Sequence, residues 1–189
     1  MPTYIQKIDA SDLSLGGAAT RVLSAGTGTD TNFVSSPANG GGTLTYFFVT
    51  DAGTPNSDSW ESGGSHTVEI EIDVGNASYT GQVRVGRCNS GGTILQQGSF
   101  TATQAMDVSR TFSPTAPTWT GAQEDCGNRY FIEFLVTNNN AHGSNSITVG
   151  VGTTANEVVT DITEDAGTCS AGFVTKFIIG RMGVIPVRV

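Results

Sequence analysis

From His66 to Val74 the chain reads His-Thr-Val-Glu-Ile-Glu-Ile-Asp-Val, with Val68, Ile70, Ile72 and Val74 on one side and Glu69, Glu71 and Asp73 on the other. Strict alternation of this kind predicts a strand with one buried and one wet face. A slip of one residue would bury three carboxylates, so the register is well specified. Arg129 to Thr137 is different: apart from Glu133 it is apolar on both faces, which predicts a central strand covered on both sides. Gln82–Cys88 and Thr93–Gln97 are joined by Asn89-Ser-Gly-Gly92, a hairpin signal because Asn and Gly tolerate positive φ. Ser99–Thr103 is read as a continuation of the second of these strands. Further short strands are predicted at Leu44–Val49, Val108–Phe112, Ser146–Val151, Val158–Ile162, Phe173–Ile179 and Val184–Val189, with Pro114 and Pro117 ending the second.

No long amphipathic helix is predicted. The best helical stretch, Ala10 to Leu23, is broken by Gly16-Gly17. Many short strands separated by turn residues, about 8–15 residues apart, are the pattern of an all-β antiparallel β-sandwich, jelly-roll-like, rather than of βαβ units. The expected organisation is an N-terminal arm or loose strands over 1–42, a sandwich over 43–168, and a C-terminal strand pair or anchoring segment over 169–189.

Composition agrees. Glycine is 25 of 189 residues and charged residues are 14%, against about 25% for an average globular protein, so strong helix formers are scarce. A net charge of −8, with only two lysines (Lys7 and Lys176) and scattered arginines, argues against nucleic-acid binding, which needs clustered cations. No apolar run approaches the ~20 residues of a membrane span, and residues 1–10 lack a signal-peptide core. Synthesis in a host cytoplasm without export, and no membrane partner, are the expectations. Cys88, Cys126 and Cys169 make an odd count without C-x-x-C, so buried free thiols are expected, with a Cys88–Cys126 bridge as the alternative.

Candidate chemistry is sparse. His66 begins a strand and His142 lies in an Asn-rich loop, and no Gly-x-Ser-x-Gly elbow accompanies either, so both are read as ordinary surface or turn residues. Glu69, Glu71 and Asp73 have an i, i+2 spacing of roughly 6.5–7 Å, tolerable for a glycosidase pair, but acidic residues on the wet face of an alternating strand are the common case. The loops Asp51–Asp58 and Asn138–Asn145 offer oxygen ligands for calcium without matching an EF-hand, and the ordinary reading is that they are turns. The expectation is no enzyme activity, no cofactor and no metal. Trp60, Tyr79 and Trp119 are the candidates for a sugar-stacking platform, against a packed role for Trp60 at a sheet edge. The sequon at Asn76 carries no weight without a secretory signal.

The stretch Trp60 to Asp73 resembles the W-x-x-G-x-h-T-V-x-h-x-h motif of β-sandwich modules in structural proteins of tailed bacteriophages. The likeness continues through Val83–Leu95, Asn128–Thr137 and Ser146–Val149, and covers roughly residues 44–151. It implies a virion component: a capsid decoration (cement) protein, or a tail or fibre piece. The absence of a long repetitive shaft favours decoration. The partners so implied are the major capsid protein or other virion proteins, with a homo-oligomer, a trimer first, and a place in the virion. No catalytic residues are carried over. The apolar C-terminal residues Phe173, Phe177, Ile178, Ile179, Val184, Ile185 and Val187 are the candidate partner contacts, against the plainer reading that they close the domain's own core.

Overall fold

The computed structural model describes residues 4–10, 13, 15, 19–25, 33–50, 66–118, 128–142, 145–149, 178–179 and 184–185. Within them the chain is all β. In chain order the strands are β1 (Tyr4–Ala10), β2 (Ala19–Ala25), β3 (Phe33–Ser35), β4 (Gly42–Thr50), β5 (Val68–Ile70), β6 (Ile72–Val74), β7 (Asn76–Cys88), β8 (Ile94–Gln97), β9 (Gln104–Met106), β10 (Arg110–Phe112), β11 (Arg129–Asn138), β12 (Ile147–Val149), β13 (Ile178–Ile179) and β14 (Val184–Ile185).

The main sheet runs β1-β2-β4-β11-β7-β8, with β9 also on β7. As its apolar sequence predicts, β11 is the centre. It is antiparallel to β4 (Phe134 opposite Tyr46) and to β7 (Phe134 opposite Val83). Its even positions Tyr130, Ile132, Phe134 and Val136 are fully buried in the principal core with Tyr46, Phe48, Val83 and Val85. Each such large side chain taken out of water contributes about 1.5–3 kcal/mol.

The facing layer is shorter. β5 and β6 are consecutive pieces of one extended stretch; β5 pairs β10 and β6 pairs β12, which also pairs β3. Val68, Ile70, Ile72, Phe112, Ile147 and Val149 from this layer join the same core as the main sheet's inward side chains. Two sheets sharing one apolar core make a β-sandwich.

The opposite face of the main sheet is covered as well. Phe47, Val49, Cys88 and Phe131 form a second cluster under the buried Leu15, with Leu13 and Ile94 packed against it. The Phe47 and Phe131 rings meet edge to face at 5.5 Å.

The hairpin forms as its turn chemistry predicts. Asn89 Oδ1 accepts from the amides of Gly91 and Thr93, and Gly92 adopts φ +85°. Beyond β8 the chain stays alongside β7 without regular pairing: Gly98 N donates to Val85 O and Thr101 N to Val83 O before β9 resumes the ladder.

The stretch 1–42, expected as an arm or loose strands, carries β1 and β2, which extend the main sheet, and β3, which belongs to the second layer. Two expectations need correction. One neighbouring pair, β2 and β4, runs parallel. Parallel neighbours need a crossover, and β3, in the other layer, lies on the connection between them. Finally, Val74 is not in the core but 56% exposed. Ile72 lies opposite Val149 and Val74 opposite Thr148, so a β-bulge at Asp73 inserts one residue and turns Val74 outward.

Candidate functional site

Two surfaces of the sandwich combine exposure with organised chemistry. The first is the outer face of the second layer. Val34 on β3 and Val74 on β6 both lie opposite Thr148 on β12, so the three make a row across adjacent strands. Val34 is 63% exposed and Thr148 half-buried. Along β5 and β6 the alternation that buries Val68, Ile70 and Ile72 puts Glu69, Glu71 and Asp73 on the solvent side, as the sequence predicts. Partial burial, then the neighbouring Glu69 and Asp73 carboxylates, hold the Glu71 carboxyl above its usual range. An aliphatic row thus runs beside an acidic ridge.

The second surface is a cleft of about 360 Å³ between residues 97–101 and 113–117. Gly98 lets the chain come close there, since a Cβ at that position would overlap the Thr115 carbonyl. Phe100 lines the cleft, and the Arg84 guanidinium lies 4.3 Å from its ring centroid. The remaining lining is Gln, Ser, Thr, Pro, Gly and Ala, without an ionisable side chain. Such a lining suits hydrogen bonding to a neutral polar ligand and supplies no acid–base pair.

The residues singled out from sequence are dispersed. Tyr79 is fully buried, which corrects its place in a stacking platform. It sits on the core face of β7, opposite Asn138, and its hydroxyl donates to the Asn145 carbonyl, so its ring is not offered to a sugar. Trp60 and Trp119 lie outside the described residues, as do Phe173, Phe177 and Val187. Ile178 pairs with Ile185 and Ile179 with Val184 as a small antiparallel ladder. His66 is not a surface residue either: it is 1% exposed, with its ring 5.7 Å from that of Tyr130 and its amide donating to the Pro114 carbonyl. His142 is exposed.

The Asn-rich loop is knitted into the fold. Asn138 Nδ2 donates to the Pro37 carbonyl and to Asn39 Oδ1, its Oδ1 accepts from the Asn140 amide, and Asn139 Nδ2 donates to Thr80 Oγ1. The loop Asp51–Asp58 lies outside the described residues. Among the described residues no group of three or more His, Cys, Asp or Glu is arranged to hold a metal ion, and no helix is long and apolar enough to cross a membrane. Cys88 is a buried free thiol.

Sequence reasoning missed the aliphatic row. Val34 fell in the stretch read as an arm or loose strands, and only the bulge, a feature of pairing, exposes Val74. Compared with protein-family models and with curated protein sequences, the chain matches none.

Proposed function

We propose that this protein is a non-catalytic assembly module, a structural component of a phage particle that decorates the head and bridges capsomers. The observation that carries the reading is the row Val34–Thr148–Val74, an organised aliphatic surface on the outer face of a sandwich whose described aromatic residues are spent mostly on its own packing. Exposed β-branched side chains in register across strands are a contact surface, whereas scattered ones are ordinary. The resemblance to phage β-sandwich modules points the same way, through segments that carry β7, β8, β11 and β12. The mechanism is mechanical: surface buried across a junction between capsomers adds to the free energy needed to separate them. Electron microscopy of the source particle tests this, with density for the sandwich expected on the outside of the head. Absence of the chain from purified particles, judged by mass spectrometry, would overturn the proposal; density on the tail would move the protein to an appendage.

A second reading, a glycan- or receptor-binding module, is favoured by the cleft beside Phe100. It requires binding on a glycan array that Phe100→Ala or Trp119→Ala abolishes.

A further inference from the structure

We infer that the outer face of the second layer, centred on Val34, Thr148 and Val74 and flanked by Glu69 and Glu71, docks on a surface of another virion protein that carries Lys or Arg around an aliphatic patch. The inference rests on the virion reading and names the partner's chemistry.

The face has the make-up of an interface, with an aliphatic centre and a charged margin. Val34 and Val74 are each more than half exposed and share Thr148 as cross-strand neighbour. Val74 is there because the strand departs from regular pairing at Asp73; had the alternation from Val68 continued, it would point into the core. Glu69 is exposed and Glu71 half-buried on the same side. Like charges crowd along the ridge, and a cationic partner surface is attracted to it.

Charge also selects the partner. A two-fold contact between two copies would set Glu69, Glu71 and Asp73 against the same carboxylates. The chain has little to offset them, with 9 Lys and Arg against 17 Asp and Glu. Among the described side chains, Arg87 and Arg129 are buried, and Arg84 and Arg110 are engaged by Glu133 and Asp107. The complementary surface therefore belongs to a different protein.

The test uses phage particles grown from a genome lacking this gene, with the full-length chain added back and bound chain measured by co-sedimentation at low and at high salt. Glu69→Gln/Glu71→Gln changes the net charge by the same amount as Ser90→Lys/Thr103→Lys, whose positions are exposed elsewhere on the sandwich. The first pair is expected to weaken binding about tenfold and flatten its salt dependence, while the second retains binding. Val34→Ser/Val74→Ser is expected to weaken binding at both salts. Wild-type binding that is unchanged in Glu69→Gln/Glu71→Gln overturns the docking face and leaves the virion reading standing. No binding by the wild type overturns both. Self-association of the wild type in solution that Val34→Ser/Val74→Ser abolishes overturns the inference in favour of a second copy.

Discussion

Arg84 and Glu133 face each other across β7 and β11, with Arg84 Nε 2.5 Å from Glu133 Oε2 on the side of the main sheet that carries Leu15 and Phe131. Glu133 is the one charged side chain that interrupts the apolar run of β11, and it is 5% exposed. Its charge is tolerated there because the guanidinium is fixed beside it, stacked in turn over Phe100. Removing one partner of a buried pair strands the other's charge, whereas replacing both with apolar groups is often nearly neutral. Arg84→Met is therefore expected to cost about 3 kcal/mol in urea unfolding, and Arg84→Met/Glu133→Leu to recover most of it. Equal stability of the single and double variants would show that the pair is not coupled.

Gly86 lies between Phe131 on β11 and Gln97 on β8. A Cβ there would overlap the Phe131 ring and the Gln96 carbonyl, one of them backbone that cannot step aside. Gly86→Ala is expected to destabilise by about 1–3 kcal/mol, the usual cost of overpacking. Gly91→Ala serves as the control, since its nearest neighbour would be 3.5 Å away. Similar melting temperatures for the two variants would remove the steric argument.

Burial pushes the Cys88 thiol up to about 11, against the opposing pull of Arg129. In the native protein Cys88 should resist alkylation at pH values near 8 and react on denaturation, as read by peptide mass mapping. The folded state holds this proton more tightly than the unfolded state. The thiol's contribution to stability is accordingly intact below pH 9.0 and lost as pH rises towards about 11. Cys88→Val should flatten that alkaline part of the stability curve.

Glu71 is held above its ordinary value of 4.5 by partial burial and by Glu69 and Asp73. Because the folded state favours the protonated acid, ionisation at neutral pH works against folding. Glu71→Gln is expected to raise the melting temperature at pH 7, with the gain shrinking as pH falls through the carboxyl's raised pKa. A gain of the same size in acid would mean that charge is not its cause.

Much of the fold was legible in the sequence. Alternation along residues 68–72 determined which side chains enter the core, because successive side chains leave a strand on opposite faces. The apolar run of β11 marked a strand covered on both sides, and Asn89 with Gly92 marked the hairpin, because their backbone and side-chain preferences are local. Tertiary structure alone decided the rest. Alternation does not name a strand's neighbours, so the parallel placement of β2 beside β4 and the return of β3 to the other layer were set by long-range pairing. The same holds for Tyr79, which looked like a free aromatic and is a core residue, and for His66, which is buried beside Tyr130. Val74 is the sharpest case. Its chemistry and position predicted burial, and a single bulge residue opposite β12 reversed its face, leaving an aliphatic row on the outside of the sandwich.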